Sequence, residues 1–552
     1  MTTQIPTNNL YADSSDSAES FLDISKLARM ANDFFSRPPG SISNIDSMNE
    51  SHKKLSHAQL PVLEPIHAGL PENQQAALDV TQNSLLTKQP IEKYAAALPL
   101  INKELALNTS LGYTNSASSY YFIDHKLISH PYTNRNLENF SQIKTNSFDI
   151  HAVRRDFPIL QERVRGKPLV WLDNAATTQK PRAVIDRISY FYEHENSNIH
   201  RAAHELAARA TDAYEAARDR VARFLGAGSA EEIIFVRGAT EAINLVAKTW
   251  GIKNIQAGDE IIVSHLEHHA NIVPWQQLAA QNGAKLRVIP VDDSGQIILE
   301  EFQRLLNHKT KLVAITQVSN ALGTIVPIDE IIQLAHQAGV IVLVDGAQSV
   351  SHLRVDVKKL DADFFVFSGH KVFGPTGIGV VYGKKKILEQ MPPWQGGGNM
   401  IADVTFERTL FHDAPTRFEA GTGNIADAVG LGAALDYVEN IGLESIAQYE
   451  HSLLMYAAEK LRTISGLRLI GTAKNKASVI SFVLNGYTTE EVGKALNEQG
   501  IAVRSGHHCA QPILRRFGLE ATVRPSLAFY NTCEEIDLLV QTVKQLAASR
   551  NH

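Results

Sequence analysis

The sequence predicts an α/β protein with a mostly parallel sheet covered on both faces, a smaller carboxy-terminal α/β lobe, and a long, largely disordered amino-terminal extension. From "FDIHAVRRDFPIL" at residue 148 onward, the short apolar runs "EEIIFV", "DEIIVS", "KLVAITQV", "VIVLVD" and "DFFVFS" alternate with helical stretches such as "TEAINLVAKTW" and "IDEIIQLAHQAG". Strand and helix patterns return on a smaller scale in "ASVISFVL" and "EEIDLLVQTVKQLAA". Residues 1–147 differ in kind, with none of the four Trp, neither Cys, and three of the 34 Gly (Gly40, Gly69, Gly112). Boundaries are therefore expected at 1–147, 148–409 and 410–552, with 148–170 packing on the smaller lobe.

In the extension, Ser, Asn, Thr, Gln and Pro dominate and the apolar islands are short, so burial does not offset the entropy of ordering. One island is "FLDISKLARMANDFFSRPPG", residues 21–40, where Ile24, Leu27, Ala31 and Phe34 recur at helical spacing until Pro38-Pro39-Gly40 stop the pattern. It reads as an amphipathic recognition helix. A second island, "SYYFIDHKLI" at 119–128, loosely echoes it. Both islands either recognise a partner or dock on the protein's own surface; neither has the Lys/Arg-rich side of a membrane-surface helix.

The start "MTTQIPTNNLYADSSDSAES" lacks the basic and apolar parts of a secretory signal, and no apolar run is long enough to cross a bilayer. A cytoplasmic protein without membrane attachment is expected. A net charge of -6 argues against general nucleic-acid binding. Cys509 and Cys533 cannot build a disulfide framework, and no Cys/His cluster has zinc-site spacing, so no metal is expected.

Most lysines are surface residues, but Lys371 in "FSGHKVFGPTGIG" has an unusual setting. It follows a strand, precedes a glycine-rich turn, and comes after Ser368-Gly369-His370, whose side chains can hold an anion. Asp345 ends the strand of "VLVDGAQS" 26 residues earlier. A strand-end acid can pair with a protonated ring nitrogen, and a nearby lysine can form an imine with an aldehyde. Together they describe a pyridoxal phosphate site. In "RGATEAINLVA" a helix opens at Ala239-Thr240, so backbone N–H groups, the positive helix end and the Thr240 hydroxyl converge where a phosphate needs donors. His268 can stack on a pyridine ring and move protons. Gln348 can bond a ring hydroxyl, and Asn320 lies at another strand end on the ligand edge of the sheet. Each alone is more often structural.

Residues 148–552 resemble the SufS-like, group II cysteine desulfurases, which share fold type I with selenocysteine lyases and aminotransferases. The blocks are "LDNAATTQKP", "RGATEAINLVA", "EHHANIVPWQ", "VSNALGT", "VDGAQS", "FSGHK", "RFEAGTGN", "RSGHHCAQP" and "RPSLAFYNT", in family order. The resemblance implies a fold-type I pyridoxal-phosphate-dependent transferase acting on L-cysteine. Lys371 then forms the imine and serves as base, Asp345 bonds the pyridine nitrogen, and His268 stacks on the ring. Thr240, Ser368 and His370 hold the phosphate, and Gln348 bonds the phenolic oxygen. Arg524 clamps the substrate carboxylate with help from Asn320 and Arg504, a bidentate task suited to guanidinium.

Cys509, otherwise readable as a small buried hydrophobe, becomes the thiolate that takes the substrate sulfur as a persulfide and leaves alanine. A free thiol has a pKa of about 8.5, and an electropositive loop of Arg504, His507 and His508 favours the thiolate. The resemblance also implies a homodimer, with Gly421-Thr422 reaching the partner subunit's phosphate, and a sulfur-acceptor protein or small thiol. Gln395 stands where relatives often have an acid, and Gly423 where proline is frequent. Cys533 is read as structural. The extension resembles those of cysteine desulfurases carried as cargo in family 2A encapsulin shells, which implies a nanocompartment address in residues 1–147. Selenocysteine lyase and a catalytically retired interaction protein are the alternatives; an aminotransferase gives the Cys509 loop no task.

Overall fold

A computed structural model of the chain describes residues 149–200 and 204–549. The expectations for residues 1–147, including both islands, lie outside the described residues. The larger sheet has seven strands: β1 Ile233–Val236, β2 Glu260–Ser264, β3 Lys285–Ile289, β4 Thr310–Thr316, β5 Ile341–Asp345, β6 Phe364–Ser368 and β7 Gly379–Gly383. Their spatial order is β1-β7-β6-β5-β4-β2-β3. Only β7 runs against the rest, antiparallel to both β1 and β6.

The five apolar runs became β1, β2, β4, β5 and β6. Along β6 the period of two sends Phe364 and Val366 into one core and Phe365 and Phe367 into the other. Each such fully buried side chain contributes about 1.5–3 kcal/mol relative to exposure. The sheet is therefore covered on both faces. β3 is one edge, and its exposed Lys285 and Arg287 break up the apolar signal. β7 fits between β1 and β6 because its first residue has no side chain: a Cβ on Gly379 would lie 2.4 Å from Gly238 Cα and 2.7 Å from Phe367 O. This close approach brings the exit of β1 beside the exit of β6.

Helices α1 Arg182–His194 and α2 Glu205–Leu225 pack against α4 Ile425–Ile441, while α3 Ala239–Val246 leaves β1. A second, antiparallel sheet contains β8 Leu467–Ile470, β9 Ser481–Leu484, β10 Arg504–Gly506 and β11 Thr522–Arg524, in the order β8-β9-β11-β10. The first described residues cross to this part of the molecule. Arg154 pairs with Glu535 at 2.9 Å, Phe157 packs on Phe529 and Tyr530, and Val170 runs parallel to Ile501. Asp173 then bridges Ser526, directly after β11.

Candidate active site

The carboxyl ends of β2, β4, β5 and β6 open on one cavity of about 220 Å³. His268 reaches it beyond β2, Asn320 beyond β4, Asp345 and Gln348 from β5, and Ser368, His370 and Lys371 from β6. Thr240 arrives on the first turn of α3, and the smaller sheet contributes Arg504, Cys509 and Arg524. Thr422 is elsewhere: it lines a separate cavity with Gln395 and Gly423, its Oγ1 3.4 Å from Asn198 Oδ1. A Cβ on Gly423 would meet only Tyr214 Oη, at 3.4 Å, so crowding does not demand glycine there.

At one end of the main cavity, burial raises the pKa of the Asp345 carboxyl, opposed by the Ala347 N–H on its Oδ1 at 3.0 Å and by the Lys371 charge. Burial lowers Lys371 to about 8; Asp345 and Cys509 pull it up, and Arg524 and Arg504 push it down. His268 falls to about 3, by burial first and then Lys371. Its Nδ1 accepts the Ala270 N–H at 3.0 Å, so the neutral ring carries its proton on Nε2. In the same cavity, Ser368 Oγ accepts the first N–H of α3, from Ala239, at 2.9 Å and keeps its own proton to donate. His370 is neutral, lowered to about 4 by burial and then Lys371. Gln348 Nε2 donates to Ala175 O at 2.5 Å, leaving its second amide hydrogen.

Arg524 Nη1 donates to Asn320 O at 2.9 Å and Nη2 to Asp173 Oδ1 at 3.0 Å, while Arg504 Nε donates to Asp173 Oδ2 at 3.3 Å. The two arginines face each other directly across β10 and β11. Asp173, inside the quoted block "LDNAATTQKP", was assigned no role from sequence; an acid following a short apolar run was its only signal.

Cys509 sits in a strained turn. His508 (φ 55°) and Cys509 (φ 53°) are both left-handed, at about 1–2 kcal/mol per residue for non-glycine. Four bonds hold this turn: Asn320 Nδ2 to His508 O at 2.7 Å, His269 N–H to Cys509 O at 2.8 Å, Ala510 N–H to His507 O at 2.9 Å, and Cys509 N–H to His507 Nδ1 at 3.0 Å. One expectation is corrected here. His508 is not part of a positive loop: it is buried, its Nε2 is 2.8 Å from Thr522 Oγ1, and burial lowers it to about 3. The charges facing the thiol from β10 and β11 are those of Arg504 and Arg524.

A doubly covered sheet with a buried lysine and a strand-end acid at its carboxyl edge defines a fold-type I pyridoxal-phosphate enzyme. The aminotransferase class-V pattern matches residues 170–539. A cysteine desulfurase of Synechococcus elongatus is 65% identical over 78% of this chain and 72% of its own. A probable cysteine desulfurase of Mycobacterium leprae is 67% identical over 72% of this chain and 66% of its own. The crystal structure of the Escherichia coli cysteine desulfurase CsdA superposes with a TM-score of 0.68 at 40% identity, covering 73% of this chain and all of that one. The chain belongs to the aminotransferase class-V family and, within it, to the cysteine desulfurases.

The residues present fit pyridoxal phosphate and an amino-acid substrate. Asn320 Oδ1, His508 Nδ1 and Arg524 Nε are buried without partners, and all three side chains line the cavity. A buried polar atom left unpaired costs about 1–3 kcal/mol, which a bound polar ligand relieves. The helix start, the Ser368 hydroxyl and the neutral His370 supply phosphate donors at one end. Lys371 and Asp345 line the same cavity, where they would meet the pyridine ring.

Proposed function

We propose that this enzyme converts L-cysteine to L-alanine and passes the sulfur to Cys509 as a persulfide, in the manner of the SufS-like group. The observation that carries this is the presence of Lys371, Asp345, Arg524 and Cys509 around one cavity, with Cys509 on a turn bonded to Asn320 and His269 beyond the larger sheet and to Thr522 of the smaller one.

Bound pyridoxal phosphate supplies an electron sink for charge developing on the substrate α-carbon. Lys371, Asp345, His268, Gln348, Thr240, Ser368 and His370 hold it. Arg524, Arg504 and Asn320 take the substrate carboxylate: Arg524 offers its unpaired Nε, and Asp173 fixes both guanidinium groups in place. Lys371 Nζ takes the α-proton, a task suited to an amine lowered to about 8. The Cys509 thiolate attacks the substrate sulfur, the carbon–sulfur bond breaks, and protons added at the former Cβ and back at the α-carbon give alanine. A sulfur-acceptor protein or a small thiol then removes the persulfide sulfur.

Residues 148–409 form the cofactor-binding domain and 410–552 the smaller one carrying the Cys509 loop. Thr422 and Gly421 serve the partner subunit's phosphate in a homodimer, which accounts for Thr422 lying apart from this chain's own cavity. Residues 1–147 address the cytoplasmic enzyme to an encapsulin shell. Cys509→Ser tests the chemistry: alanine formation from cysteine is expected to fall to background while cofactor absorbance persists, and undiminished alanine formation overturns the persulfide route. The address is tested by fusing residues 1–147 to a fluorescent reporter beside assembled shells. Co-elution that disappears on deleting 21–37 supports it, and a free reporter overturns it.

A further inference from the structure

Residues 267 to 269 point three ways. His268 lines the cavity. His269 holds the sulfur-accepting loop: its N–H donates to Cys509 O at 2.8 Å, its Nε2 accepts the Gln511 N–H at 3.4 Å, and its ring stacks 5.9 Å from that of His507. Glu267 turns inward and is fully buried. Its Oε1 lies 2.5 Å from Ser264 Oγ at the end of β2, and its Oε2 accepts from Asn271 Nδ2 at 2.6 Å. Asn271 Oδ1 accepts in turn from Trp275 Nε1 at 2.9 Å, tying the turn to helix Val273–Asn282.

None of these partners is a cation, and the one charge acting on Glu267 is that of Asp345, which is also negative. Hydrogen bonds from Ser264, Asn271 and the Thr316 backbone offset part of the desolvation of an ionised carboxylate, but no cation does and burial outweighs them, so the neutral acid is the stable form. Ser264 Oγ already accepts the Leu266 N–H at 3.1 Å and has room for a second donor. The protonated acid satisfies this network by donating to Ser264 and accepting from Asn271 and the Thr316 backbone N–H.

We propose that Glu267, as the protonated acid, is the positioning residue that fixes His268 at the cavity wall and the Cys509 loop at its mouth. The assignment rests on the roles given above to His268 and Cys509. Burial raises the Glu267 pKa to about 8, so mildly alkaline solution puts a second negative charge beside Asp345 and removes the donor toward Ser264.

The test compares the unsubstituted holoenzyme with Glu267→Gln and Glu267→Ala. The carboxamide, like the protonated acid, offers a donor toward Ser264 and an acceptor toward Asn271, with one further N–H. Three measurements are made: alanine formation, alkylation of Cys509 by iodoacetamide followed on its peptide by mass, and tryptophan fluorescence against pH. E267Q is expected to keep both rates within about twofold, and E267A to change each by about tenfold, the scale of one lost buried hydrogen bond. The unsubstituted enzyme is expected to show a fluorescence transition near pH 8, reported by Trp275 through Asn271, that E267Q lacks. If E267A does not fold, the E267Q comparison still decides. E267Q as impaired as E267A, or a transition that survives in E267Q, overturns the proposal. Alkylation and fluorescence need no substrate, so they separate failure of this inference from failure of the persulfide route.

Discussion

Arg524 and Asp173 lie 351 residues apart in sequence and 3.0 Å apart in space, with the guanidinium almost wholly buried. The pair exists because the segment after Val170 joins the smaller sheet: Leu172 O accepts the Ser526 N–H at 2.7 Å, which sets Asp173 beside the end of β11. With its other oxygen on Arg504, Asp173 keeps two opposed cations from repelling each other across β10 and β11.

Replacing Asp173 by Asn is expected to raise KM for cysteine at least about tenfold with a smaller change in kcat, because the arginines lose orientation while Lys371 and Cys509 are untouched. Stability falls too, since a buried arginine stripped of its partner costs about 3–5 kcal/mol. Steady-state kinetics and thermal unfolding on one preparation check both parts. An unchanged KM would show that the arginines hold their positions without Asp173.

Lys371 makes the cofactor-free protein pH-sensitive. Its folded pKa of about 8 lies below the ordinary 10.5, so between those values the unfolded chain binds more protons and stability rises with pH. The burdened, charged form persists below about pH 8, where burial costs up to about 3 kcal/mol. Cofactor-free Lys371→Met is therefore expected to be more stable than the unsubstituted protein at pH 7, with the difference shrinking toward pH 10. Urea unfolding at several pH values measures it, and equal midpoints at pH 7 would sink the idea.

Asn320 clamps the Cys509 turn through its side-chain amide on His508 O, while its backbone carbonyl holds Arg524. Asn320→Ala removes only the first of these. With one restraint gone from two left-handed residues, the turn is expected to relax, so Cys509 reacts faster with iodoacetamide and alanine forms more slowly, each by about tenfold, the scale of one lost hydrogen bond. Alkylation and activity moving in the same direction would contradict the clamp.

What was legible in the sequence follows a physical pattern. Asp345 and Lys371 announce themselves because each comes at or just after a continuous apolar strand, and Thr240 because a glycine precedes a helix start. Asp173 did not, since its partner is set by a crossing between sheets and not by a local period. β7 was hidden for a related reason: five residues flanked by glycines, antiparallel in a parallel sheet, carry no crossover helix as a marker. Charge state was the least legible property. His508 looks like a cation beside a thiol until the fold buries it, and Glu267 is overshadowed in "EHHAN" by the histidine that follows.

Glu419 ties the segment before Thr422 to the sheet. Its Oε1 accepts from Arg218 Nη1 at 2.6 Å and from the Phe235 N–H at 2.8 Å, and its Oε2 from Arg218 Nη2 at 2.9 Å and Tyr214 Oη at 3.2 Å. Phe235 belongs to β1, the strand that leads to α3 and the phosphate donors. Removing Glu419 leaves the buried Arg218 with only the more exposed Glu215, 2.9 Å from its Nε, so Glu419→Ala is expected to cost about 3 kcal/mol. At about 2–4 °C per kcal/mol, the apparent Tm should fall by roughly 6 °C or more. Replacing both charges, Arg218→Met with Glu419→Leu, should recover part of the loss, since the only charge left without its partner is the more exposed Glu215, but not all of it, since the Phe235 N–H and Tyr214 hydroxyl still lack their acceptor. Thermal unfolding of the two variants side by side tests this, and a double variant less stable than Glu419→Ala would mean that the guanidinium stabilises the fold without its carboxylate.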